Sequence, residues 1–157
     1  MKTTYLLPYY YKKIGWVLLL VSIVLMAIMF TGFNMPFLNT TVFAISDTSL
    51  FQTQNTFAFI QNNIQDELIS IFFILGAFFI GFSKRKEEDE YILRTRLESL
   101  VWATYLNYLI LLLTIIFIYG LNFFHVLVIN MFTTLVFFLI RFNWLLYKSK
   151  KELGDEK

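Results

Sequence analysis

The hydrophobic positions of this chain fall in long, nearly unbroken runs, with the polar positions gathered between and beyond them. "IGWVLLLVSIVLMAIMFTGF" (14–33) carries no charge, and it has the length of one bilayer crossing, about 20 residues at about 1.5 Å rise each. "LISIFFILGAFFIGF" (68–82) is fifteen residues long. That is too short to cross alone, so this helix borrows turns at both ends and is expected over 64–83. Asn62, Asn63 and Asp66 offer N-capping oxygens near its start. From Leu100 to Ile140 the chain is apolar almost throughout, and "YGLN" (119–122) is its one turn signal. So long a tract reads as an antiparallel hairpin of two spans, 100–119 and 123–141, with Gly120 as the C-cap of the first. The pattern predicts an all-α integral membrane protein, 1–157 forming a single domain of four transmembrane helices.

Composition agrees. The chain is 58% hydrophobic and 15% charged, where soluble domains run at about 45–50% and about 25%. A soluble domain of this length could not hide that much apolar surface. A net charge of +2 gives no reason to expect a nucleic-acid partner, and the absence of cysteine removes disulfides, thiolate metal sites and thiol chemistry.

The positive charges set a direction. Lys2, Lys12 and Lys13 precede the first span. Lys84, Arg85, Lys86, Arg94 and Arg96 lie between the second and third, and Arg141, Lys148, Lys150, Lys151 and Lys157 follow the fourth. Segment 34–67 and the 119–124 turn hold neither Lys nor Arg, so all thirteen fall on one side of a four-span arrangement. By the positive-inside rule that side is cytoplasmic, and both termini with it. Trp16, Trp102 and Trp144 fall near the same boundary, beside Tyr and Lys in "YYYKKIGW" and "WLLYKSKK". The basic start resembles a signal peptide, but its apolar run is too long and no small-residue cleavage site follows, so it reads as an uncleaved span. "MKTTYLLPYY" reads as an in-plane segment broken at Pro8, and the tail "KSKKELGDEK" as a fraying end.

Two soluble pieces remain. The outer cap, 34–63, contains "TTVFAI", which reads as a short strand, and "NTFAFIQNN", which fits a second strand or an amphipathic helix lying on the membrane. Phe43, Phe51, Phe57 and Phe59 are numerous for an exposed loop and suggest a cap packed on the helix ends, with a ligand-facing lid as the other reading. "NTT" (39–41) fits a glycosylation acceptor.

The inner piece, "SKRKEEDEYILRTRLES" (83–99), predicts a cytoplasmic helix over 86–99 that runs into the third span, extending it into water. Opposite charges recur four residues apart, as in Glu90 with Arg94 and Arg94 with Glu98. Tyr91, Ile92, Leu93, Leu97 and Leu100 recur at helical spacing between them. Lys84, Arg85 and Lys86 then anchor the second span at the headgroups, while the acids 87–90 suit a helix's first turn. A wholly solvated face is the plain reading. The functional one is a docking surface for a cytoplasmic protein, carried by Glu87, Glu90, Leu93, Arg94 and Leu97. Consecutive carboxylates diverge around a helix, so no metal site is expected.

No ionisable residue lies deep within a span. Arg141 can snorkel to headgroups, and His125, the one histidine, sits near the 119–122 turn as an interface residue with no second histidine to complete a haem site. The intramembrane polar candidates are Asn107, Asn130, Thr133 and Thr134. Depth suggests a hydrogen bond from Asn107 to the Thr133/Thr134 pair, and leaves Asn130 to face Ser22, Ser70 or the cap. Gly76, Ala77 and Gly81 allow a close helix approach. No nucleophile elbow or phosphate-cradling glycine loop occurs, so no catalytic residue, cofactor or enzymatic activity is expected.

"LLPYYYKKIGW", "GFSKRKEEDEYILRTRLESLVWA" and "RFNWLLYK" together resemble a group of uncharacterised small four-span inner-membrane proteins of Bacteroidota-type bacteria. The resemblance covers nearly the whole chain. It implies a bacterial inner-membrane location and, through the small DNA-binding regulators that accompany such proteins, a regulatory role. Two functions follow. One is a non-catalytic regulatory, sensory or accessory partner docking through its cytoplasmic helix. The other is a small transporter or channel subunit, which would need to act as a homo-oligomer because one copy hardly encloses a pathway.

Overall fold

The computed structural model describes residues 6–32, 35–47, 55–86 and 89–155. It is mostly helical, at 77%, and four helices are long and apolar enough to cross a membrane. They are α1 (Tyr10–Phe30), α2 (Gln65–Phe82), α3 (Glu90–Phe117) and α4 (Leu121–Asp155). This is the architecture of a multi-pass membrane protein. By contact the chain divides into two units, Leu20–Phe73 and the remainder.

In the larger unit, α3 and α4 fold back on one another across residues 118–120. Gly120 does not cap α3 as its type suggested. The cap is Ile118, in extended backbone with its N–H on Thr114 O, and Gly120 holds a φ of +70° at the turn that starts α4. The core lies between these helices: Ala103, Phe138, Phe142 and Leu146 are buried, with Phe82, Ile92, Leu100, Phe137 and Leu139 packed around them. Phe138 stands 5.5 Å from the Phe82 ring and 5.7 Å from Phe142, its edge against Gly81. Gly76 and Gly15 bring α2 and α1 into backbone contact, since a Cβ on Gly76 would lie 2.7 Å from Leu19 N. Before α1, Leu7 runs beside Ser83, its N–H on Phe82 O at 3.0 Å and its carbonyl accepting from Lys84 N–H at 2.8 Å. Pro8 follows and α1 starts two residues later.

Two helix ends differ from the pattern reading. α3 begins at Glu90 rather than 86, with Asp89 in extended backbone at its N-cap. The segment 84–86 stays outside the helix. α4 runs past 141, the expected end of the fourth span, and continues to Asp155 through the tail expected to fray from 148, because Lys, Glu and Leu are all strong helix formers.

The smaller unit contains the first half of α2 and an antiparallel hairpin of β1 (Asn39–Asp47) and β2 (Asn55–Asn63). Register runs from Asn39 opposite Asn63 to Asp47 opposite Asn55. β2 is a strand, not an in-plane helix, because its period is two: Phe57 and Phe59 share one face, Ala58 and Ile60 the other. Asn63 supplies the capping oxygen expected before α2, its Oδ1 accepting from Gln65 N–H at 3.0 Å.

Candidate functional site

The first three turns of α3 separate the stripe read from the sequence into two faces. One is inward: Thr95, Arg96, Ser99 and Ala103 are buried, with Ile92 and Leu100 packed against the core. The other is open. Glu90, Tyr91, Arg94, Leu97, Glu98 and Val101 are exposed, Leu97 by 65% and Tyr91 by 51%. Glu90, Arg94 and Leu97 share this exposed face, at helical spacings of four and three. Leu93 is half-buried and sits at the edge of this face. Glu87 lies outside the described residues.

Arg94 Nε donates to Glu98 Oε1 at 2.9 Å, an ion pair on this open face. Both side chains are more than half exposed, so the pair stabilises the helix by only about 0.3–0.5 kcal/mol. Its value is positional. Glu98 follows Leu97 in sequence, so the pair sets a carboxylate and a guanidinium beside Leu97 on the open face.

The inward face holds a feature the sequence reading missed. Arg96 is 6% exposed, donates from Nη2 to Ser83 O at 3.2 Å, and places its guanidinium 5.2 Å from the centre of the Phe142 ring. Arg85 stands 5.4 Å from the same ring and donates to Asn143 Oδ1 at 3.3 Å. Arg141 covers Trp102 at 4.6 Å. Arg85, Arg96 and Arg141 thus lie on aromatic faces, which hold a cation while keeping its edge available for hydrogen bonds. A single sequence carries no signal pairing Arg96 with a ring 46 positions away.

Among the intramembrane candidates, Asn107 donates from Nδ2 to Asn130 Oδ1 at 3.3 Å, joining α3 to α4. The expected bond to the threonine pair is not what forms: Thr133 donates to Ile129 O in its own helix at 3.0 Å, and Thr134 is half-buried. Asn130, which depth had assigned to Ser22, Ser70 or the cap, is the partner instead. Asn107 Oδ1 and Asn130 Nδ2 are buried without a hydrogen-bond partner. Thr104 and Thr114, like Thr133, return their hydroxyls to the carbonyl four residues back, which lets them lie in apolar surroundings. His125 is exposed near the start of α4, its Nδ1 2.9 Å from Leu121 O.

Among the described residues, no three His, Cys, Asp or Glu side chains gather where they could hold a metal ion. What the arrangement offers is an outward α3 face that mixes apolar and charged groups, beside a tightly packed inward one. Compared with known proteins, the chain matches no family model, and no curated protein or solved structure matches it significantly.

Proposed function

We propose that the chain is a bacterial inner-membrane protein with both termini and the 83–99 segment in the cytoplasm, which performs no chemistry itself. It acts as a regulatory, sensory or accessory partner and docks a cytoplasmic protein on the outward face of α3. The basic residues on one side of four spans support the orientation. The resemblance to small inner-membrane proteins supports the location. One observation carries the docking reading: Leu97 and Tyr91 are exposed on the same face of α3 as the Arg94–Glu98 ion pair. An isolated exposed leucine is ordinary. Two large apolar side chains within a ring of both charge signs suit a partner with an apolar pocket bordered by acid and base.

A photo-crosslinking amino acid placed at Tyr91 or Leu97 in living cells tests this. It should give one discrete protein adduct, which the same label at Tyr108 or Leu112, both exposed on the apolar stretch of α3, should not give. Leu97→Asp should abolish the adduct from Tyr91 by at least about tenfold, the loss expected when a central contact worth about 1.4 kcal/mol or more is removed. Adducts to lipid alone, or to further copies of the chain, would end the docking reading.

The second reading, an oligomeric transporter subunit, draws on Asn107 and Asn130, whose unpartnered oxygen and nitrogen are polar groups within the apolar tract. Both atoms are enclosed by the α3–α4 pair. That favours packing over a pathway.

A further inference from the structure

The hairpin carries an apolar surface that the docking reading does not use. Phe43, Ile45, Phe57 and Phe59 share one of its faces and are exposed by 56%, 66%, 70% and 75%. The Phe43 ring meets Phe59 edge-on at 5.4 Å and lies 6.4 Å from Phe57, so the surface is continuous. Phe57 contributes from a left-handed backbone, φ +54°, a conformation strained for a bulky residue. On the other face Val42, Ala44, Ala58 and Ile60 are half-buried. Contiguous aromatic surface of this kind is seldom left in water.

The base of the hairpin fixes what lies beneath it. Met35 N–H donates to Gln65 Oε1 at 3.1 Å, and Ile64 N–H donates to Leu38 O at 3.2 Å. Asn62 Nδ2 donates to Glu67 Oε1 at 2.8 Å, and Gln65 itself is 4% exposed. One residue, Ile64, separates β2 from α2. α2 has 18 residues, so it is about 27 Å long against a hydrocarbon layer of about 30 Å. A helix that short must keep Gln65, Asp66 and Glu67 at the edge of the bilayer. The hairpin therefore springs from the membrane surface, and Phe59, four residues before Asn63, is at most about 14 Å along the strand from that point.

We propose that the aromatic face lies in the boundary between lipid headgroups and acyl chains, making the hairpin an in-plane anchor whose partner is the lipid surface itself. The lipid-facing surface of α2 and the aromatic face of the hairpin then form one continuous contact with the bilayer. Residues 34–67 contain no Lys or Arg, so the attraction is apolar and needs no anionic lipid. A second copy of the chain could cover the same face only if it were brought there, whereas lipid is present at the foot of the hairpin in every copy.

The chain has no native cysteine, so single Ala58→Cys and Phe59→Cys variants carry one nitroxide each. Both are reconstituted in neutral phosphatidylcholine vesicles, with matching circular dichroism as the check on folding. The label at 59 should collide with oxygen several-fold more than with a water-soluble nickel chelate, and the label at 58 should show the reverse preference. Chelate preference at both positions would place the hairpin in water and overturn the proposal. Spin–spin broadening at 59 that disappears on dilution with unlabelled protein would show a second copy on that face and overturn it equally.

Discussion

Gly76→Leu should prevent the protein from accumulating as a folded species in detergent, while Gly76→Ala should lower its stability by about 1–3 kcal/mol, the usual cost of overpacking. A Cβ at this position would lie 2.7 Å from Leu19 N, 3.0 Å from Gly15 O and 3.1 Å from Leu19 Cα. All three are backbone atoms and cannot turn aside as a side chain can, so α1 and α2 must separate. Within a bilayer the loss is compounded, since helices associate there through close packing rather than through exclusion of water. Gly32 provides the contrast. It has φ +80° and nothing within 4 Å of its would-be Cβ, so Gly32→Ala should cost only the left-handed strain, about 1–2 kcal/mol. Thermal melts of the purified variants, followed by tryptophan fluorescence, check both. An unchanged melt for Gly76→Leu would mean that the helices do not meet here.

The second large effect is expected at Phe138. Its side chain is fully buried, tilted against Phe82 and stacked on Phe142, so Phe138→Ala should cost about 3–5 kcal/mol through the cavity it leaves. Its neighbour makes the prediction more specific. A Cβ on Gly81 would collide with the Phe138 ring, which supplies its three nearest neighbours, so Gly81→Ala alone should destabilise the protein. Once the ring is removed, the same methyl enters vacated space. Gly81→Ala should then be neutral or favourable in the Phe138→Ala background, with a coupling of about 0.5–3 kcal/mol. Strict additivity of the two losses would show that Gly81 and Phe138 are not in contact.

The helices were legible because length and hydropathy alone identify a crossing. Tyr10–Phe30 and Gln65–Phe82 lie within a few residues of where the apolar runs place them. The hairpin was legible in part, since β-branched and aromatic residues in "TTVFAI" favour a strand. "NTFAFIQNN" was ambiguous between periods until its partner fixed the register. What could not be read were the choices made by helix rotation. Depth along the sequence paired Asn107 with Thr133 and Thr134 and sent Asn130 elsewhere, whereas the faces that α3 and α4 present bring Asn130 to Asn107. In the same way Leu93 and Leu97 belong to one stripe in sequence, yet the packing of Thr95, Arg96 and Ser99 inward leaves Leu97 open and half-covers Leu93. Arg96 was counted as one more inward charge. Its burial against Phe142 depends on two segments that are remote in the chain.

Everything proposed for the outward face of α3 rests on its being in the cytoplasm, with the hairpin on the opposite side. Because the chain lacks cysteine, single Thr40→Cys, Glu98→Cys and Lys150→Cys variants can be treated with a membrane-impermeant maleimide, first in intact bacterial cells and then after permeabilisation. Thr40 is exposed on the hairpin face opposite the aromatic one. The four-span orientation therefore predicts labelling of position 40 in intact cells, and of positions 98 and 150 only once the inner membrane is opened. Labelling of position 98 in intact cells, or of 98 and 150 under different conditions from one another, would contradict it and take the docking surface away from any cytoplasmic partner.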